Sequence, residues 1–195
     1  SGCSLLAQVS IPSSVTSIGN SAFSGCSLLA QVSIPSSVTS IGDYAFSECS
    51  SLTQISIPSS ITKIGKNVFY RSFKLDKIIV ISNENENIKI FEEKFLLYKS
   101  SKNNYDTLLW SKNNITEATI PPFIKFIGSA SFSYRSLLTQ VSIPSSVTSI
   151  GDYAFSDCSS LTQVSIPSSV TSIGDFAFNC CRYIKQISFE KSSSV

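Results

Sequence analysis

The stretch that decides the fold is Ile166-Pro-Ser-Ser-Val-Thr-Ser-Ile-Gly-Asp-Phe-Ala-Phe178, followed by Cys181. It recurs along the chain with a step of 23 residues. Residues 27–46 and 136–155 differ only at Ala30 and Thr139. Such identity indicates recent duplication within the gene, and a fixed period of this length predicts a repeat architecture.

Three rows of residues keep the 23-residue step. They are Gly19, Gly42, Gly65, Gly128, Gly151 and Gly174; Phe23, Phe46, Phe69, Phe132, Phe155 and Phe178; and Pro12, Pro35, Pro58, Pro121, Pro144 and Pro167. The units are residues 6–28, 29–51, 52–74, 75–114, 115–137, 138–160 and 161–183, with a partial unit at 184–195. The fourth unit is 40 residues long and therefore carries about 17 extra residues.

One unit alternates apolar and polar residues before its proline. Val164 and Ile166 are predicted to point inward from a strand that Pro167 ends, because proline has no N–H for the ladder. Val170 and Ile173 form the next inward pair in a second short β-segment.

The second half of the unit contains a turn. Gly174 permits either a positive φ or a close backbone approach. Asp175 is predicted to cap one helical turn over residues 176–180, with Ala177 and Phe178 facing inward. Asn20, Asp43 and Asp152 occupy the same cap position in other units.

A 23-residue unit cannot bury its own apolar face, so neighbouring units must stack. Each strand then follows the previous one in the same direction, which predicts parallel sheets and a right-handed crossover. The expected fold is a solenoid of about seven to eight coils by unit count, mostly parallel β with short helical or 3₁₀ turns. It forms a single domain over residues 1–195.

The run from Ile166 to Phe178, with Cys181, resembles the BspA-like subfamily of leucine-rich repeats, which has 23-residue units. The long unit resembles a variant in which residues 95–98 and 107–110 form an added hairpin before Thr119-Ile-Pro121. The resemblance implies a leucine-rich-repeat solenoid that is surface-exposed or secreted, as in host-associated bacteria and parasitic protists. It also implies adhesion to host or matrix proteins.

Composition narrows the classes of function. Only 14% of residues are charged and the net charge is +2, so a nucleic-acid binder is not expected. The chain has no His, hence no Ser-His-Asp triad and no His metal site, and it presents no acid–base pair. No apolar run is long enough to cross a membrane. We therefore expect no enzyme, no cofactor and no membrane insertion. The start at Ser1 without any Met suggests a processed product or a fragment.

The cysteines leave alternatives open. Cys3, Cys26, Cys49, Cys158 and Cys181 end their units, and Cys180 is the exception to the pattern. Small buried thiols are the first interpretation, and disulfides or a redox role are the second. Zinc is disfavoured because the ligands would come from separate units. The acidic run 83–87 lacks the spacing of an EF-hand and is predicted to be a solvated loop.

The candidate partner-binding residues lie on the outward strand positions and on the long unit. Outward Gln and Ser rows give a uniform, uncharged face, which is either a neutral solvated sheet or a docking surface. Residues 61–126 hold 11 of the 15 Lys and Arg residues and the single Trp, so diversity concentrates there. The set comprises Gln54, Gln140, Gln163, Asp76, Lys77, Ile79, Tyr98, Tyr105 and Trp110.

Three further alternatives stay open. Trp110, with Leu108 and Leu109, either contacts a partner or packs the added hairpin against the solenoid. Recognition of a protein partner at a cell surface is the first function, and a structural scaffold is the second. The scaffold would self-associate through open solenoid ends into a homo-oligomer. Asn114-Ile-Thr116 is a glycosylation sequon, which has meaning only in a secreted eukaryotic protein.

Overall fold

The computed structural model describes residues 2–81, 86–100 and 104–190. Within these ranges the chain forms 16 strands and no helix. Two strand segments alternate along each coil and build two kinds of sheet.

The first segment of each coil builds two parallel sheets, which we call the primary sheets. Their strands are β2 (Gln31–Ser33), β4 (Gln54–Pro58) and β6 (Lys77–Ile81), and then β10 (Glu117–Thr119), β12 (Gln140–Ser142), β14 (Gln163–Ile166) and β16 (Gln186–Phe189). Gln31 pairs with Gln54, and Gln163 pairs with Gln186, so the register advances by one 23-residue unit. The predicted parallel solenoid is confirmed.

The second segment builds the secondary sheets, which are also parallel between coils. Their strands are β1 (Ser17–Ile18), β3 (Ser40–Ile41) and β5 (Lys63–Ile64), and then β9 (Thr107–Ser111), β11 (Phe126–Ile127), β13 (Ser149–Ile150) and β15 (Ser172–Ile173). The long unit adds β7 (Ile88–Phe91) and β8 (Phe95–Tyr98), which run antiparallel to each other. Strand β8 also runs antiparallel to β9, so the predicted hairpin is present and carries a third strand.

Rows of like apolar residues fill the space between the sheets. Phe155 is fully buried, and its ring stacks on Phe132 at 4.9 Å and on Phe178 at 5.3 Å between centroids. In the other half of the chain, Phe23 and Phe46 stack at 5.3 Å. The predicted phenylalanine row is therefore core packing.

The turn after the glycine differs from the prediction. In the unit 161–183, Phe176 and Cys180 have φ of 56° and 57°, and the same two positions are left-handed in other coils. A right-handed helical turn cannot contain two such residues, so the predicted helical turns are replaced by non-helical turns. Asp43 and Asp152 do not cap a helix. Instead their Oδ1 atoms accept the backbone N–H of Lys66 and Asp175 in the next coil, at 2.8 and 3.1 Å.

Close approach explains the glycine row. A Cβ atom on Gly151 would lie 2.6 Å from the backbone nitrogen of Ser129 in the preceding coil. Gly151 does not have a positive φ, so close backbone approach, and not a left-handed conformation, accounts for glycine at this position. The first coil has no predecessor within the described residues, and Gly19 has open space around its Cβ position.

The solenoid is interrupted at the long unit. Among the described residues, β6 does not pair with β10, and β5 does not pair with β9. We call this interruption the seam, and the parts on either side, residues 2–81 and 104–190, the N-terminal and C-terminal halves. Each half has its own apolar core.

Strands β8 and β9 lie between the two cores and contribute buried side chains to both. Leu96 and Trp110 pack into the core of the N-terminal half, whereas Phe95, Leu97 and Leu108 pack into the other. A strand that is buried on both faces has no reason to alternate with polar residues. This explains the unbroken apolar runs at residues 95–98 and 108–110.

The halves also touch outside the cores. The ring of Tyr70 lies 4.8 Å from that of Tyr153, and Nε of Arg71 donates to the hydroxyl of Tyr134 at 3.1 Å. In the described parts of the chain we find no helix that is long and apolar enough to traverse a bilayer.

Candidate protein-binding surface

The outward side of each primary sheet carries the predicted polar rows. Gln140 and Gln163 are exposed and pair directly across β12 and β14. The next residue on each strand, Val141 on β12 and Val164 on β14, is buried at 6% and 2% exposure. The alternation of exposed amide and buried valine fixes which face meets solvent.

The face of the C-terminal half is concave. Its strands enclose a groove of about 360 Å³. The groove is lined by Gln140, Val141, Ser142, Ile143, Gln163, Val164, Ser165, Gln186, Ser188 and Glu190. The Ser165 hydroxyl donates to the carboxylate of Glu190 at 3.1 Å at one end of it. The amides and hydroxyls that remain can donate and accept hydrogen bonds without a change of charge.

The face of the N-terminal half changes character at its last strand. Gln54 pairs with Lys77, and Ser56 pairs with Ile79. Asp76 and Lys77 are exposed, and Ile79 and Gln54 are half-buried. The structure therefore brings these four predicted residues onto one continuous surface, with a cation beside an apolar side chain.

The aromatic residues of the long unit lie elsewhere, at the edge of the inserted strands. The Tyr98 hydroxyl donates to the carbonyl oxygen of Thr62 at 2.7 Å. The Tyr105 ring lies 4.2 Å from Nζ of Lys89 and 4.7 Å from Nζ of Lys99. Burial raises the pKa of both tyrosines, so their hydroxyls remain protonated at neutral pH. Both residues are half-buried and do not join the primary-sheet surface.

Trp110 requires a correction as a surface residue. It is 3% exposed and belongs to the core of the N-terminal half. The guanidinium carbon of Arg135 lies 5.7 Å from its ring centroid. Packing of the inserted strands, the alternative interpretation, accounts for this residue.

Arg135 is a buried charge that the sequence interpretation missed. It stands at the position of its unit where Cys158 stands in the next, and it is 3% exposed. Its Nε donates to the carbonyl oxygen of Ser111 at 2.8 Å, and its Nη1 donates to that of Ser133 at 2.9 Å. Burial lowers the pKa of Arg135 to about 10, so it stays charged at neutral pH. The replacement of cysteine by arginine at this repeat position was the sequence feature that could have indicated the seam.

The cysteines are free thiols, and Cys3 and Cys180 are the exposed ones. Burial raises the pKa of Cys49 to about 12 and that of Cys181 to about 11. Thiols with such pKa values are protonated at neutral pH and are poor nucleophiles. No group of three or more Cys, Asp or Glu side chains suited to a metal ion occurs in residues 2–81, 86–100 and 104–190. In the predicted acidic loop, residues 83–85 lie outside the described residues, as do residues 191–195 of the partial last unit.

Comparison with solved structures agrees with this geometry. A leucine-rich-repeat protein from Eubacterium ventriosum is 28% identical with a TM-score of 0.67, and the match covers 91% of this chain and 58% of that one. A leucine-rich cell surface protein from Faecalibacterium prausnitzii is 27% identical with a TM-score of 0.64, covering 94% of this chain and 60% of that one. The pneumococcal vaccine antigen PcpA shares the fold at 23% identity and a TM-score of 0.73, covering 93% and 50%.

The similarity thus spans 60% or less of the length of each of these solved proteins. No curated protein sequence matches it. The family model for the BspA type leucine-rich repeat region matches residues 1–101 and 104–195 in 6 copies. With parallel coils, a 23-residue register and this match over most of its length, the chain belongs to the BspA-type leucine-rich-repeat family.

Proposed function

We propose that the chain is a non-catalytic recognition module that binds a protein partner through its primary-sheet face, at a cell surface. The observation that carries the proposal is the concave groove of about 360 Å³ over β12, β14 and β16, which is floored by exposed Gln and Ser. Leucine-rich-repeat solenoids are interaction modules whose stacked strands provide extended concave binding surfaces. The cell-surface assignment draws on the description of the similar Faecalibacterium prausnitzii protein.

The chemistry of the face favours a polar protein surface as partner. The polar lining groups are neutral hydrogen-bonding side chains, apart from Glu190 at one end, and Val141, Ile143 and Val164 are buried beneath them. The backbone that carries these amide and hydroxyl groups is ordered in a sheet, so binding costs less backbone entropy than it would on a mobile loop. The Lys77 and Ile79 surface of the N-terminal half adds a charged and an apolar contact, which makes this part of the module more selective.

We propose further that the partner is a host or extracellular-matrix protein, so that the module acts in adhesion. The decisive test is a binding screen of the intact chain against purified matrix and host-cell surface proteins by surface plasmon resonance. Removal of the whole insertion is unsuitable as a control, because β8 and β9 complete both cores. Point variants at outward-facing strand positions are therefore used in place of a deletion.

The test variant is the double substitution Gln140→Lys with Gln163→Lys, and the matched control is Ser17→Lys with Ser40→Lys. Both add two positive charges to a parallel sheet. Lysine already occupies each row, since Lys77 pairs with Gln54 and Lys63 pairs with Ser40, so both variants are expected to fold. We expect at least a tenfold loss of affinity in the test variant and none in the control. Equal binding by the two variants, or no partner for the intact chain with reversible self-association in light scattering, contradicts the proposal.

A further inference from the structure

A second cleft lies on the opposite side of the coil, between the two halves. Its volume is about 410 Å³, within the usual range of ligand sites. One wall is Ile64, Gly65 and Lys66 of the N-terminal half with Tyr98 of the insertion. The other wall is the secondary sheet of the C-terminal half, with Leu109, Phe126 and Ile173 along it.

The cleft exists because one hydrogen bond of the repeat is missing. In other coils the carbonyl oxygen at the end of the secondary strand accepts the N–H of the next glycine at 2.8 Å. The acceptors are Ile18, Ile41, Leu108, Ile127 and Ile150, and the donors are Gly42, Gly65, Gly128, Gly151 and Gly174. Ile64 holds the same position, and within the described ranges no N–H reaches its carbonyl oxygen. Strand β5 therefore has an open edge that faces the cleft.

The open edge is bounded at one end. Tyr98 donates its hydroxyl to the carbonyl oxygen of Thr62, two residues before Ile64. The tyrosine thereby takes the first acceptor of the edge. What remains for an incoming chain is the N–H and C=O pair of Ile64, one donor and one acceptor on an extended backbone.

A narrow recess continues inward from the cleft and shares Ile64, Gly65, Leu109 and Ser129 with it. Asn67 lines this recess at 2% exposure. Its Nδ2 donates to the Tyr44 hydroxyl at 3.0 Å, while its Oδ1 is buried without a hydrogen-bond partner. The Oδ1 atom has almost no accessible surface, so it is desolvated inside the fold and does not meet a ligand in the recess.

From these observations we propose that the cleft binds a short extended segment of a partner polypeptide, which adds to the edge of β5. The backbone of the segment donates an N–H to Ile64 C=O and accepts from Ile64 N–H, as the next coil does elsewhere in the solenoid. An apolar side chain of the segment packs between Ile64 and Leu109.

The combination of groups selects a peptide over a small apolar molecule. A main-chain edge with both a donor and an acceptor matches an extended backbone, which is the basis of strand addition in peptide recognition. The recess itself, at about 20 Å³, holds a single water molecule at most. The peptide therefore occupies the cleft rather than the recess.

The test begins with selection of a random heptapeptide library, displayed on phage, against the intact chain. Enriched peptides are synthesised with a fluorophore and titrated by anisotropy. The blocking variant is Ser149→Trp, since Ser149 lines the cleft from β13. The matched control is Ser40→Trp, which places the same residue at the same repeat position on β3, away from the cleft. If Ser149→Trp does not fold, Ser172→Trp on β15 replaces it.

We expect the enriched peptides to bind the intact chain and the Ser40→Trp variant equally, and to lose at least tenfold in affinity with Ser149→Trp. Hydrogen exchange gives an independent readout, because peptide binding should slow the amide of Ile64. Failure to select any peptide, equal binding by both Trp variants, or an unchanged Ile64 amide overturns the proposal.

Discussion

The thiol of Cys49 donates a hydrogen bond to the carbonyl oxygen of Phe23 in the preceding coil, with 3.1 Å between sulfur and oxygen. Ser72 repeats the bond one coil later, its hydroxyl donating to the carbonyl oxygen of Phe46 at 2.6 Å. Cysteine and serine therefore do the same structural work in this row. The feature that the repeats share is a small buried donor at the end of one turn, which donates a hydrogen bond to the phenylalanine carbonyl oxygen of the preceding coil.

This relationship predicts the outcome of changes in the row. Cys158 makes the same bond to Phe132 O at 3.1 Å. Cys158→Ser keeps a donor and should cost less than about 1.5 kcal/mol in the free energy of unfolding, whereas Cys158→Val leaves the carbonyl without its donor and should cost about 1–3 kcal/mol. Urea denaturation followed by fluorescence measures both. A serine variant less stable than the valine variant would contradict the role of the bond.

The buried thiols also predict a loss of stability in alkali. The pKa of Cys49 rises from 9.0 to about 12 on folding, so its neutral form is favoured in the native state. The unfolded chain releases this proton first as pH passes 9, and stability therefore falls between pH 9 and 12. One such thiol contributes up to about 1.4 kcal/mol per pH unit in that window.

Unfolding free energies measured at intervals from pH 8 to 11 check this sign. Cys49→Ser should flatten the decline, because serine does not titrate there. A decline of equal slope in the variant would show that other groups cause it.

The phenylalanine stack should dominate core stability. Phe155 is fully buried between two rings, so Phe155→Ala should cost about 3–5 kcal/mol. Phe176, which is 60% exposed and stacks only on Tyr153 among the described rings, provides the control, and Phe176→Ala should cost about 1.5 kcal/mol or less. Chemical denaturation of both variants separates core packing from surface aromatic content. A cost below about 1 kcal/mol for Phe155→Ala would exclude this row from the core.

The glycine row makes a position-dependent prediction. Gly151→Ala places a methyl group against the backbone of Ser129 and should destabilise the chain by about 1–3 kcal/mol. Gly19→Ala meets no atom within 4 Å and should be neutral or slightly stabilising. Thermal unfolding of the two variants tests whether coil-to-coil contact sets the requirement. Equal effects would instead indicate a local backbone preference common to the row.

Arg135 should be needed where the solenoid is interrupted. Arg135→Met keeps much of the side-chain length but removes the donors to the carbonyl oxygens of Ser111 and Ser133. We expect a cost of about 1–3 kcal/mol for each carbonyl left unsatisfied. The exposed Arg182 offers a control substitution to Met, for which little change is expected. Equal stability of the two variants would assign Arg135 no structural role.

Much of the fold was predictable because each repeat position has one environment. Most of the inward valines and isoleucines and the Phe row follow from period and polarity, as Val164 and Phe155 illustrate, although Ile173, predicted to point inward, is 42% exposed. The added hairpin was implied by the family resemblance. The helical turns were wrong because Asp before a short apolar pair is typical of a helix cap. The left-handed residues Tyr153 and Asp157 instead make a turn whose bonds run to the next coil.

The candidate surface was only partly predictable. The Gln and Ser rows could be placed because strand alternation fixes the side on which they lie. The position of Trp110 could not be predicted, since composition does not distinguish an exposed aromatic residue from one that packs into a core. The cleft was likewise invisible, because it depends on a single missing hydrogen bond at Ile64 and on how two halves meet.

The seam has a mechanical consequence. Among the described residues, the two cores are joined by the inserted strands and by a few side-chain contacts, which divides the chain into two units along its axis. Under a pulling force applied at its ends, the molecule should extend in two separate events rather than one, with the first rupture at the seam. A protein with this property would lengthen under tension before either half lost its structure.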